Sequence, residues 1–465
     1  MKEKFAKIFS HKLFVICVGY ALLFSLAGFA KYMEILLVPY LISAFLFLKI
    51  EDDFYFFLYT QIFYVSPLLV RPSIVAQAIY IVILFVKFVI GCKQGKYKLH
   101  KNLLIMIAIF TGYGLIMSLF HKMAVYSLSY LIYLPFFYVI FATRKEYSVK
   151  KAFRVLAYSI VLTCVLSLIT QLAPVENFDC LKHEGSSIRF KAFFGSANTL
   201  YMICLLTLCG ISYLFYKHEI WFLQYIVFYI ALAIITLLTL SKAGIAMLGI
   251  ITLINIGLYL SIDFKRTWWH IALLCLLGAT LIFVFKDFAL RVIGRFAKNY
   301  DEENILNSLF TGRIDIWKDY LKAIFSNPLN FLFGHGTLSK YVYCVAQGRD
   351  RAQHNLYIFL LYKFGLFGCI LLGLVIREFV IASGKEPPKF INILPLIYFL
   401  ILGMCDNAFM YTHFYILVAM TLFDTKHKQN EINSNSTTIT SYDTIIENSD
   451  NVIDNHEIAK SHQQK

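Results

Sequence analysis

Apolar residues run along this chain in solid blocks, with none of the every-second-residue alternation of a half-buried strand. Blocks near 13–30, 33–49, 54–70, 73–91, 102–120, 124–142, 153–173, 196–216, 220–240, 243–262, 270–286, 355–377, 391–406 and 408–423 approach or exceed the roughly 20 residues that cross a bilayer as a helix. The last two are short. A transmembrane β-barrel would need alternating segments instead. The pattern predicts an all-α, polytopic helical membrane protein with about 12–14 transmembrane helices.

The polar connections then orient the spans. "MKEKFAKIFSHK", "CKQGKYKLHK", "RKEYSVKKAFR", "DFKR" and "TKHKQ" all fall on one side under strict alternation. The positive-inside rule makes that side the cytoplasm, with both termini inside. The first block is long and is followed by Lys31 and Tyr32, which reads as an uncleaved span. The expected organisation is a cytoplasmic N-terminus (1–12), a membrane domain (13–286) with an outer loop near 174–195, a long extracytoplasmic loop (287–353), C-terminal spans (354–423) and a disordered cytoplasmic tail (424–465). Lys and Arg outnumber Asp and Glu in the long loop. Long loops translocate largely regardless of charge, so cations kept there call for another reason. The tail is rich in Asn, Ser, Thr and Asp and cannot bury a core.

Composition agrees: 59% of the residues are hydrophobic, 15% are charged, and mean hydropathy is +0.67. The net charge of +15 sits mostly in short loops, where it sets topology and does not indicate a nucleic-acid partner. Most of the ten cysteines lie inside apolar blocks. Cys180 and Cys344 fall in the two outer loops, and whether they pair is open. No CxxC or His–Cys cluster suggests a metal, and no cofactor is expected.

Candidate chemistry lies in the outer segments. "TGRIDIWKDYLKAIFSNP" predicts an amphipathic helix with Ile314, Trp317, Leu321, Ile324 and Phe325 on its apolar face. Arg313, Asp315, Lys318, Asp319 and Lys322 form its polar face, Thr311 its N-cap, and Asn327-Pro328 its stop. Arg313 in the first turn suits an anion, because a guanidinium matches phosphate in two-point fashion; the alternative is an anchoring helix on lipid headgroups. Arg189 and Lys191 precede the span beginning near Gly195, as anion ligands or as snorkelling side chains. Lys242 occupies a turn between two spans, where Ser241, Ala243 and Gly244 allow close approach of a substrate or another helix. Arg291 and Arg295 lie one helical turn apart, as substrate ligands or surface anchors. His354 opens the span at Asn355 and could remove a proton from a hydroxyl near neutral pH. Lys363, nine residues on and on the opposite face, is read as structural, with Asp406 as a candidate partner. All these outer-loop cations and His354 fall on one side of a topology derived without them. That suits a reaction on a lipid-borne phosphate or diphosphate.

With these residues assembled, the chain resembles the O-antigen polymerase and O-antigen ligase family of bacterial membrane glycosyltransferases. The resemblance is carried in order by "LSKAGIAMLG" (240–249), "TGRIDIWKDYL" (311–321), "FGHG" (333–336) and "HNLYIFLLYKFGLFG" (354–368), and covers about 190–425. It implies a glycosyltransferase C-like fold and metal-independent, inverting transfer of glycans from undecaprenyl diphosphate at the outer face of the plasma membrane. Arg189, Lys242 and Arg313 would hold the diphosphate and His354 would assist the acceptor hydroxyl; Lys191, Arg291, Arg295 and Asn355 are further expected substrate-binding residues from their positions in the sequence and not from the resemblance. Lys242 stands where arginine is frequent, and Lys363 where relatives are often acidic. The implied partners are undecaprenyl-diphosphate-linked oligosaccharides, the bilayer, and a chain-length regulator and flippase of the same pathway. The expected activity is polymerisation of repeat units of an O-antigen, capsule or exopolysaccharide. The alternatives are transfer of a finished glycan to a lipid core or protein, and transport of lipid-linked glycans.

Overall fold

The computed structural model describes residues 10–29, 31–63, 72–119, 129–172, 180–184, 187–194, 196–262, 312–336, 339–383 and 390–404, with the single positions 290 and 294. Bilayer hydrocarbon offers a backbone no hydrogen-bond partners, so apolar blocks satisfy themselves as helices. In chain order these are α1 (His11–Phe29), α2 (Leu37–Phe47), α3 (Ile50–Thr60), α4 (Pro72–Lys93), α5 (Lys101–Leu119), α6 (Ser129–Ala142), α7 (Val149–Leu172), α8 (Ala197–Tyr216), α9 (Phe222–Leu238), α10 (Lys242–Ile262), α11 (Arg313–Phe325), α12 (Pro328–Phe333), α13 (Leu356–Ser383) and α14 (Phe390–Gly403). Among the described residues, α4, α5, α7, α8, α10 and α13 are long and apolar enough to cross a membrane, and α1, α2, α6, α9 and α14 are shorter apolar helices. The expected spans 270–286 and 408–423, the tail and Asp406 lie outside the described residues. The chain is a polytopic helical membrane protein.

Helix α8 forms the centre. It is 89% buried over its apolar window against 28% for α5 and α10. It packs on α7, α9, α10 and α14. Ser196 caps it, its side chain accepting the Thr199 N–H at 3.1 Å. Peripheral helices turn Phe47, Leu223 and Leu253 outward, an apolar surface suited to lipid.

In the expected span 54–70 the described helix ends at Thr60, and residues 64–70 lie outside the described residues. That helix is the 11-residue α3, with Glu51, Asp52 and Asp53 in its first turn, where carboxylates complement the helix dipole. Asp53 is fully buried and takes the Lys87 ammonium of α4 at 2.6 Å. The same ammonium donates to the carbonyls of Phe45 (2.6 Å) and Leu48 (2.7 Å). One lysine thus closes the corner between α2 and α3. The span expected at 33–49 likewise begins as a 3-10 turn, Lys31–Leu36, ahead of α2.

Two small hairpins went unforeseen. β1 (Leu181–Glu184) pairs antiparallel with β2 (Ser187–Phe190), placing Lys182 opposite Arg189. β3 (Val342–Cys344) pairs with β4 (Arg349–Arg351) in the long loop. Strands of three or four residues leave too short a period to stand out in a sequence dominated by helical blocks. Cys180 and Cys344 are buried free thiols.

Candidate functional site

One group of candidates forms around the turn between α9 and α10. The last turn of α9 leaves carbonyls without helical partners. Arg189, reaching from β2, donates Nε–H to the Thr239 carbonyl at 2.8 Å and Nη2–H to Asn198 Oδ1 at 2.9 Å. A cation at a helix C-terminus also meets the negative end of the dipole. Asn198 Oδ1 accepts Ser241 Oγ–H at 3.3 Å, which joins the guanidinium to the residue preceding Lys242. Arg189 and Lys242 are both buried, so neither is a snorkelling surface charge. A Cβ at Gly244 would strike the Tyr201 ring. The small residues at this turn therefore admit helix α8. Lys191 follows Arg189, half-buried, its backbone N–H bonded to the Cys180 carbonyl at 3.0 Å.

The second group joins α11 to the start of α13. The apolar face of α11 is rotated from the expected one. Ile316, Tyr320 and Ile324 face inward with Cys344 and Tyr362, while Leu321 and Phe325 are exposed. Arg313 belongs to the buried side and not to a polar face. The expected face failed because α11 carries two apolar stripes, and the one that packs is chosen by its partners on α13 and β3. The helix begins after Gly312, left-handed at φ 75°, with no side-chain cap; Thr311, the expected cap, lies outside the described residues. Asn327 caps α12, accepting the Leu329 N–H at 2.9 Å.

From this packed helix, Trp317 and Tyr320 hold the segment leading to His354. Trp317 Nε1–H donates to the Gln353 carbonyl at 2.8 Å, and the Tyr320 hydroxyl donates to the Arg351 carbonyl at 2.7 Å. His354 is partly exposed and sits at φ 47°, a left-handed conformation that costs an L-residue about 1–2 kcal/mol. Asn355 Oδ1 accepts the N–H groups of Tyr357 (2.9 Å) and Ile358 (3.1 Å), and its Nδ2–H reaches the Met404 carbonyl at 3.4 Å. These bonds give Asn355, expected as a ligand, a capping role on α13. Burial, then the neighbouring Arg349, pushes the Arg351 guanidinium pKa below its ordinary value. It stays cationic at neutral pH.

Two residues after Lys363, α13 breaks at Gly365 (φ 63°, ψ −176°). A break strands carbonyls of Tyr362, Lys363 and Phe364, all buried, and "FGHG" supplies partners. The His335 N–H donates to the Tyr362 carbonyl at 2.8 Å and the Gly336 N–H to the Lys363 carbonyl at 2.9 Å. The Tyr113 hydroxyl lies 2.8 Å from the Phe364 carbonyl and 2.6 Å from that of Phe333, donating its one proton to either. A Cβ at Gly334 or Gly365 would fall on the other residue's backbone. Lys363, 1% exposed, donates to the Ser339 carbonyl and supports the structural reading.

Arg291 and Arg295 lie outside the described residues. The structure joins Arg189 to the turn bearing Lys242, and α11, with Arg313, to the His354 segment. Four described non-glycine residues have positive φ, and Ala192, Leu240 and His354 among them adjoin or are candidates. Such strain gathers at functional sites. Sequence reading missed Gln353, Arg351 and the role of Tyr113. Gln353 sat beside the histidine in plain view, but a lone amide carries no motif. Among the described residues, no cluster of three or more His, Cys, Asp or Glu is placed to hold a metal.

Residues 226–373 match the family model described as O-antigen ligase. That segment contains Lys242, Arg313, His354 and Asn355, whereas Arg189 and Lys191 precede it. No curated protein matches the chain. The matched segment, with its turn lysine, its Gly-Arg helix and its His-Asn helix start, is similar to the O-antigen ligase family.

Proposed function

We propose that the protein polymerises lipid-linked oligosaccharide repeat units at the outer face of the bacterial plasma membrane. The observation that carries this reading is the tie between α11, which bears buried Arg313, and the strained His354 segment, through Trp317 and Tyr320. A hydroxyl of the incoming repeat unit attacks the anomeric carbon of the growing chain. His354 takes the hydroxyl proton as the new C–O bond forms. The old C–O bond breaks with its electron pair leaving on the undecaprenyl diphosphate, whose charge Arg313, Arg189 and Lys242 stabilise. Attack opposite the leaving group inverts the anomeric centre, and the cations perform the role a metal would otherwise fill.

A second reading has the same donor and leaving group but a lipid core or protein as acceptor. The description of the matched family favours it. The length profile of surface polysaccharide in a strain lacking the gene separates the two. Loss of the ladder with single repeats still attached supports the polymerase. Loss of attachment with long polymer still lipid-linked supports the ligase, and an unchanged profile rejects both.

A further inference from the structure

The residue before His354 carries an unmet demand. Gln353 is 0% exposed, and neither its Nε2 nor its Oε1 has a hydrogen-bond partner. The backbone around it is firmly held, by Trp317 at its own carbonyl and by Tyr320 at Arg351. Buried amides are nearly always hydrogen-bonded, because leaving one unpaired is unfavourable and an apolar side chain of similar length removes the penalty. A chain that keeps glutamine here, beside a histidine already in a strained backbone conformation, has two local defects in successive residues. Violations that cluster in this way mark functional positions.

We infer that Gln353 binds a sugar hydroxyl of the acceptor next to the hydroxyl that His354 deprotonates. This rests on the transferase reading above. The amide identifies the ligand class, because it presents a donor and an acceptor side by side. A phosphate oxygen could take the N–H but would leave Oε1 facing negative charge. Neighbouring hydroxyls on a sugar ring both donate and accept, and satisfy both amide atoms. Gln353 neither gives nor takes a proton in the transfer. It fixes the ring so that one particular hydroxyl faces the anomeric carbon, and so selects the linkage. The amide is closed to solvent in this conformation, so a sugar reaches it by rotation of the Gln353 side chain about its held backbone.

The test uses Gln353→Met and Gln353→Leu in the full-length protein. Each is purified for thermal unfolding and also returned to a strain lacking the gene, with His354→Ala alongside. The expected result is an unfolding temperature equal to or above wild type, with surface polymer reduced at least roughly tenfold. Wild-type polymer in Gln353→Met would overturn the inference. So would a lowered unfolding temperature in both variants, since the amide would then be bonding within the fold. If His354→Ala keeps full polymer, the transferase reading fails and takes this inference with it. If His354→Ala loses polymer while Gln353→Met keeps it, only the role of Gln353 fails.

Discussion

At the scale of single residues, the candidate cations are not alike. Arg189 makes two directional bonds to neutral oxygens at a helix end, a task that needs a fork. Arg189→Lys is expected to keep the charge, lose one of the two bonds and destabilise the α9–α10 turn by about 1 kcal/mol, read from thermal unfolding. Arg313→Lys tests a different point. If the guanidinium meets a diphosphate in two-point fashion, the lysine variant should make roughly tenfold less polymer than wild type while unfolding normally; equal polymer would mean that a point charge suffices. His354 offers a separation of stability from function. Glycine tolerates φ 47°, so His354→Gly should unfold no earlier than wild type, and up to about 1 kcal/mol later, yet make no polymer. A variant that is less stable would show the imidazole to be a packing group.

Elements explain why "FGHG" stands where it does. The loop's N–H groups bond the carbonyls stranded by the break in α13, and two left-handed glycines let the backbones meet. Gly334→Ala and Gly365→Ala should each cost at least about 1–2 kcal/mol from the left-handed backbone alone, before the clash is counted. Tyr113→Phe should cost about 1 kcal/mol. Thermal unfolding of the purified protein checks all three, and wild-type stability in the glycine variants would show that the close approach can relax. The glycines were visible in the sequence as an ordered motif, but their partner was not, because contacts between residues 113, 334 and 365 have no local signature. The reverse happened with α11. Its helix and its stop were legible from periodicity, yet its inward face was read correctly only at Ile324, since Leu321 and Phe325 look as apolar as Ile316 and only the packing on Tyr362 and Cys344 decides between them.

For the whole molecule, uninterrupted apolar blocks were the most readable signal. Pro72–Lys93 and Lys101–Leu119 lie within a residue or two of the blocks at 73–91 and 102–120. Block 54–70 was less readable: its helix starts earlier, at Ile50, and takes in Asp53, which is buried against Lys87. The candidate cations stood out in the sequence as a set, whereas what surrounds them did not: Trp317, Gln353 and the Asn355 cap acquire meaning only from hydrogen bonds made in three dimensions. The central claim is that the His354 segment, held by the Arg313 helix, performs glycan transfer. It is tested most directly by returning wild type, His354→Ala and Arg313→Ala to a strain lacking the gene, at matched membrane levels, and resolving the surface polysaccharide by length. The account predicts a full ladder with wild type and loss of chain growth with either variant. A wild-type ladder in both variants would contradict it.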